Sequence, residues 1–368
     1  MIRFSLCVIG AGLAGQAAAE APKVATDIAP IHSLVARVMD GVGSPDLIIP
    51  PGASPHSNAM RPSQARALQS ADVVFWVGEE LTPWMAKPLS ALSEDAQLVT
   101  LLDTDGTVLY DFRDVTEEGH EEDHHDDHDD HAKHDDHSDH DDHEDYAKHD
   151  DHADHDGHAD HDDHEGHDDH AEDKHEGHDD HEEGHASHDD HGHDHDGIDP
   201  HAWLDPENAR VWVQVIAETL ATADPENAQQ YRDNAQAADV ELADLQDEIA
   251  ADLSGMQARS FITFHDAYQY FEKRFGLETS GSVSLGDASA PGPARLAALQ
   301  EKVAEDQIVC AFAEPQYDTR LVKTAIEGTG AAIYQLDPIG VAINPGAGQY
   351  TDLLRALVDG YQACANGS

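Results

Sequence analysis

From residue 20 onward the chain alternates short apolar runs with segments whose apolar residues recur every three or four positions. One long polar stretch interrupts the rhythm. KVATDI (23–28) precedes the amphipathic IHSLVARVMDG (31–41), DLIIP (46–50) precedes SQARALQSA (63–71), and DVVFWVG (72–78) and LVTLLD (98–103) follow. Short runs rich in β-branched and aromatic residues, set between helical patterns, predict βαβ units and a mostly parallel sheet flanked by helices. Ser63, just ahead of the periodic residues, is the expected cap of its helix.

Beyond residue 196 two helix starts share one grammar, Asp205-Pro206-Glu207-Asn208 and Asp224-Pro225-Glu226-Asn227. Each puts an Asp at N-cap, a Pro at N1 and an acid in the first turn, where the helix dipole favours negative charge. The second helix carries Tyr231, Ala235, Ala238, Leu242, Leu245, Ile249 and Leu253 on one stripe and is expected to reach Gly255. About 29 residues at ~1.5 Å each give roughly 44 Å, enough to cross a lobe. It reads as a spine between two lobes, with a coiled-coil dimer seam as the alternative. SFITFHDAY (260–268), QIVCAFAEP (307–315) and AAIYQLDP (331–338) are strand-like, with helical patterns at 294–306 and 351–361 between and after them.

The expected fold is therefore α/β, with two lobes, each a mostly parallel sheet flanked by helices, joined by one long rigid helix. The boundaries that follow are 20–222 for the first lobe, 223–256 for the linking helix and 257–368 for the second lobe. Ahead of them, MIRFSLCVIGAGLAGQAAAEAPK has a basic Arg3, a short apolar run and small residues at Ala17 and Ala19, the pattern of a signal peptide spanning 1–19. The run is too short for a membrane span, and Phe-Ser-Leu before Cys7 does not resemble a lipoprotein cleavage box. A soluble exported protein is expected, not one inserted in the membrane.

Composition sets residues 117–196 apart: they hold 25 of the 29 histidines, 37 acids and 3 lysines, with Tyr146 as their one aromatic residue. A segment with nothing to bury cannot repay the entropy of folding, so a disordered insert in the first lobe is expected. The other 288 residues are acidic too, with 39 Asp and Glu against 17 Lys and Arg. That balance argues against nucleic acid and anionic membranes and for cations as partners. After cleavage two cysteines would remain, Cys310 and Cys364, and in an oxidising compartment such a pair points to a disulfide.

Four histidines lie outside the insert: His32, His56, His201 and His265. His56 follows a buried-type strand, and His265 ends a strand of the other lobe. Open α/β sheets bind ligands beyond the carboxyl ends of their strands, so the two can face one gap. His201, in IDPHAWLDPEN, is stiffened by Pro200 and Pro206 and anchored by Trp203 and Leu204, which lowers the entropic cost of coordination. His32, at the start of an amphipathic helix, reads as structural. Three imidazoles suit Zn²⁺, and a water or the carboxylate of Asp337 would complete the shell. Each histidine alone is weak evidence, since a strand-end His is more often a satisfied polar residue than a ligand. Three in the same topological position, beside a His-rich insert, carry the reading.

PPGASPH ending at His56, DPHAWLDP around His201, FHDAYQYF from Phe264 and CAFAEPQ (310–316) resemble the cluster A-I solute-binding proteins, the metal receptors of bacterial ABC importers, and in particular their zinc branch. The resemblance covers nearly the whole mature chain. It implies two α/β lobes joined by a rigid helix, zinc at their interface, a membrane permease as partner, and His56, His201 and His265 as ligands. It also supports a Cys310–Cys364 bridge. Some relatives use a Glu directly before the first histidine as fourth ligand, whereas Pro55 stands there, which leaves water or Asp337. Manganese relatives replace the third histidine by Glu, so His265 favours zinc.

Histidines at 149, 152, 155, 158, 161, 164 and 167 repeat every third residue, a period that builds no helix face and fixes no cage. His149, His152, His155, His158, His161, His164 and His167 are expected to form interchangeable, low-affinity accessory metal sites, a zinc antenna or sensor beside the principal site; incidental binding of divalent ions by a solvated acidic segment is the competing reading. A non-enzymatic zinc receptor is the leading function. A manganese receptor, a zinc buffer or adhesin, and a zinc hydrolase with Glu314 as base are the alternatives, and no HExxH-like motif supports the last.

Overall fold

The computed structural model describes residues 20–57, 59–113, 197–256, 260–284 and 288–367. The insert and the leader lie outside the described residues. Strands β1 (Val24–Thr26), β2 (Asp46–Leu47), β3 (Val73–Trp76) and β4 (Gln97–Thr100) form one parallel sheet in the order β2-β1-β3-β4. Strands β5 (Phe261–His265), β6 (Gly281–Ser284), β7 (Cys310–Ala313) and β8 (Ala332–Gln335) form a second in the order β6-β5-β7-β8, again all parallel. The two sheets thus repeat one topology. In each the order reverses beside the first strand, and that reversal opens a crevice past the carboxyl ends of the central strands.

Helices α1 (Ala29–Val38), α2 (Pro62–Ser70), α3 (Ala86–Leu92) and α4 (Pro206–Ala223) belong with the first sheet. Helix α5 (Ala228–Asp252) follows, and α6 (Gln269–Phe275), α7 (Pro293–Glu305), α8 (Thr319–Ala325) and α9 (Gln349–Asn366) belong with the second. The start of α4 is as expected: Pro206 sits in its first turn and the Asp205 carboxylate accepts the Glu207 N–H. Two other starts differ. Pro62, with its pre-set φ, takes the first position of α2, so Arg61 rather than Ser63 is the N-cap, and the Gln64 side chain accepts the Arg61 N–H. Asp224 does not cap α5. It ends α4, and its carboxylate accepts from the Tyr231 hydroxyl and the Asn227 amide. Helix α5 consequently begins at Ala228 and has 25 residues, about 38 Å at ~1.5 Å per residue.

The expected stripe of α5 is buried, from Tyr231 to Leu253. It packs against α4, α1 and α9 of its own chain, so it is not a seam for a second copy. A single apolar core runs from β1, α1 and β3 through α4 and α5 to α6 and α9, while a smaller one lies among β5, β6, α7, β7 and α8. DLIIP pairs only at Asp46–Leu47; Ile48 and Ile49 still donate to Thr26 and Asp27 before Pro50-Pro51 turn the chain toward His56. Among the described residues no helix is long and apolar enough to cross a membrane.

Cys310 on β7 is bonded to Cys364 on α9, with their Cα atoms 5.9 Å apart. The bridge closes a loop of 54 residues and removes freedom chiefly from the unfolded chain. Replacing both by Ser is expected to lower unfolding free energy by about 2–5 kcal/mol, read by urea denaturation, with the native circular-dichroism spectrum retained.

Candidate metal centre

Each ligand candidate is delivered by a different element. His56 lies in the loop after β2, where the preceding Pro55 carbonyl accepts from the Trp84 indole at 2.8 Å. His201 opens a short 3₁₀ turn, Ala202–Leu204, just ahead of α4. His265 is the last residue of β5. Their side chains converge across the gap between the sheets: His201 Nε2 is 3.4 Å from His56 Nε2 and 3.3 Å from His265 Nε2. The ligand nitrogens of all three lie within 4.8 Å of one another. Two Zn–N bonds of about 2.0–2.1 Å meeting near the tetrahedral angle would place their nitrogens about 3.3–3.4 Å apart. The separations around His201 therefore have the span of two edges of a zinc coordination tetrahedron.

The far nitrogens fix which ring atoms are available. His201 Nδ1 lies 2.7 Å from Asp199 Oδ1, and His265 Nδ1 lies 2.6 Å from Glu314 Oε1. A carboxylate only accepts, so each Nδ1–H donates, and each neutral ring keeps its Nε2 lone pair for a metal. Asp199 also accepts the His201 N–H and the Gln269 amide. Burial pushes the Asp199 carboxyl up to about 6, against the pull of those donors. Burial, and then the neighbouring His265, holds His201 well below the ordinary imidazole range. Burial lowers His265 as well, but Glu314 and other acids outweigh it, and its pKa is raised.

The cavity under the imidazoles is lined by Pro55, Trp203, Gln316, Tyr317 and Ile339 among others, and the space open to a water-sized sphere is about 10 Å³. That is space for about one water-sized body. Asp337 is not brought into the cluster. Its carboxylate accepts from the backbone N–H groups of Ile339, Gly340 and Val341 and from the Gln316 amide. His32 is elsewhere, its Nε2–H donating to the Pro45 carbonyl at 3.2 Å. His149, His152, His155, His158, His161, His164 and His167 lie outside the described residues.

Two parallel α/β sheets with three histidines meeting between them make a candidate metal-binding protein of two-sheet α/β fold. The profile of the family described as zinc-uptake complex component A, periplasmic (ZnuA) matches residues 24–364. The chain belongs to that family. It is 41% identical over 371 residues to the high-affinity zinc uptake system protein ZnuA of Paracoccus denitrificans, covering 99% of both chains. To the protein of the same name from Brucella abortus it is 40% identical over 355 residues, covering 96% of this chain and 95% of that one. Among solved structures, a ZnuA crystal structure superposes with a TM-score of 0.64 at 18% identity, covering 95% of this chain and all of that one. FpvC from Pseudomonas aeruginosa in complex with Mn²⁺ also gives 0.64, at 17% identity over 95% of this chain and 100% of that one, a likeness of fold alone.

Reading the residues alone missed the partners behind the ligands. Asp199 stands two residues before His201, and that spacing is a signal. Glu314 had none, because it reaches His265 from the neighbouring strand, 49 residues away in sequence.

Metal binding must displace the proton from any charged imidazole, so affinity should fall as pH drops. Because the His265 pKa is raised, the fall should begin above the ordinary imidazole value of about 6.5. Calorimetric zinc titrations in two buffers of different ionisation enthalpy should show proton release at pH 7 that is smaller in Glu314→Gln, with affinity reduced about 10- to 100-fold as for other partners of ligand histidines.

Proposed function

We propose that this chain captures Zn²⁺ in the periplasm at His56, His201 and His265 and hands it to the membrane permease of an ABC importer. The observation that carries the reading is the 3.3–3.4 Å spacing of the Nε2 atoms around His201, with carboxylates behind two of the rings. Three nitrogen donors suit zinc better than manganese, which prefers oxygen. Glu314 is engaged with a ligand ring, the part of an orienting group rather than of a base for hydrolysis.

On the same reading residues 1–19 are a signal peptide removed on export, the mature protein acts as a monomer, and the lobes divide at 20–222 and 257–368 about the 223–256 link. The histidine-acid insert serves as a low-affinity antenna; the described residues that flank it are joined, Asp111 and Ile198 forming an antiparallel bridge and Phe112 N donating to the Gly197 carbonyl. A concentration of negative charge and imidazole raises the local supply of cations.

Competitive titration of zinc against manganese, in protein lacking residues 117–196, tests the receptor. One tight zinc equivalent is expected in the parent and none in the His56→Ala, His201→Ala or His265→Ala variants; retention of that site in the variants sinks the assignment. The antenna is tested separately by growth in scarce zinc, where the deletion should slow uptake while leaving the tight affinity unchanged.

A further inference from the structure

Gln316 lines the cavity beneath the three imidazoles, and its amide oxygen Oε1 is buried with no hydrogen-bond partner. An unpaired buried acceptor is destabilising unless something supplies it a hydrogen. The amide cannot relieve this by flipping. Its Nε2 donates to Asp337 Oδ1 at 2.8 Å, and a carboxylate has no hydrogen to offer the oxygen in exchange. Asp337 therefore holds Gln316 with its acceptor turned away from the carboxylate.

Asp337 is itself committed. Ile339 N, Gly340 N and Gln316 Nε2 donate to Oδ1, and Val341 N donates to Oδ2. Oδ1 thus takes three donors and Oδ2 one, and the three backbone donors belong to the turn that follows Asp337. Coordinating an ion would strip it from the turn it organises. Glu314 Oε2 is a second unpaired oxygen at this cavity, but the carboxylate is anchored at His265 Nδ1, on the opposite edge of the ring from Nε2. Three imidazoles leave tetrahedral zinc one donor short.

We propose that a water completes the zinc shell and donates a hydrogen to Gln316 Oε1, with Asp337 acting through Gln316 as a positioning residue and not as a ligand. The inference rests on the reading of the histidine trio as the zinc site. In it the water oxygen gives a lone pair to zinc and keeps both hydrogens, one directed at the amide oxygen. A neutral amide accepts that hydrogen without removing it, so the fourth ligand stays a neutral water that can leave when the ion is transferred. A carboxylate in the same place would draw the proton away and favour a bound hydroxide.

The test uses the full-length chain loaded with one equivalent of zinc, and measures affinity by chelator competition for Gln316→Leu, Asp337→Asn and the double variant. Gln316→Leu should weaken binding about 10- to 100-fold at unchanged stoichiometry and unchanged apo melting temperature. Asp337→Asn should add little in the Gln316→Leu background, because both act on the same water. A crystal structure of the loaded protein should show a solvent oxygen on zinc within hydrogen-bond reach of Gln316 Oε1. Direct coordination by Asp337, Glu314 or the Gln316 amide, or full affinity in Gln316→Leu, overturns the proposal while leaving the receptor reading intact. Unchanged tight binding in a His265→Ala control would instead remove the receptor reading itself.

Discussion

Three imidazole Nε2 atoms held toward one another across the gap form the constraint on which the rest of the structure depends. At 3.3–3.4 Å two facing lone pairs repel unless a proton or a cation lies between them. The protein must hold them there by force applied from behind. Asp199 and Glu314 grip the Nδ1 edges of two rings, and the lobes are pinned to each other around the gap. Trp203 Nε1 donates to the Pro338 carbonyl, the Tyr350 hydroxyl donates to the Trp203 carbonyl, and Ser54 shares a hydrogen bond with Tyr317. Farther out, Ser33 donates to the Ala347 carbonyl and accepts the Tyr350 N–H. A site built this way spends its ordering entropy on folding, and the ion meets donors that are already aimed.

The same pins bear on release. Separating the rings enough to free a bound cation means breaking several cross-lobe hydrogen bonds, two of them on the buried Trp203. Helix α9 adds to the cost, because it is tied to the second sheet through Cys364 while packing on α1 and α5. Thermal fluctuation alone opens such an interface rarely, so a partner that binds the opened form better than the closed one must supply the difference. That is the energetic role a permease would play.

Much of this architecture was legible in the sequence because apolar periodicity reports burial. The strands from Val24 to Gln335 other than β6, the stripe from Tyr231 to Leu253 and the strand-end placement of His265 all follow from it. What escaped was the choice among hydrogen-bond partners. Asp205 and Asp224 head identical Asp-Pro-Glu-Asn strings, yet one caps a helix while the other turns back to Tyr231 and Asn227. Nothing local distinguishes them; the buried tyrosine does. Strand β6 was missed because Gly-Ser-Val-Ser has little β signature, although all four residues are buried in the sheet. Asp337 was a reasonable ligand candidate on position alone, past the end of β8, and only the donors of its own turn reveal that its oxygens are occupied. Proximity across 49 or more residues, as for Glu314 and His265, is a product of sheet order and has no one-dimensional trace.

Those engaged oxygens bear on which ion the site would favour. Among the described residues the carboxylates around the trio are each engaged through at least one oxygen: Asp199 holds His201 and Gln269, Glu314 holds His265, Asp337 holds its turn and Gln316, and Asp266 and Glu272 share Arg113 at 2.5 and 2.7 Å. Removing Arg113 would leave two buried acids uncompensated, an expensive change, so the arginine that precedes the insert keeps those oxygens out of the site. Calcium and magnesium need several oxygen donors and would have to dismantle these contacts to get them. Borderline-soft ions find three imidazole nitrogens at the right spacing with nothing to displace but protons. In a chain carrying a formal charge of −56, which attracts every cation indiscriminately, discrimination cannot come from the field. It would have to come from the donors, and nitrogen is what the trio offers.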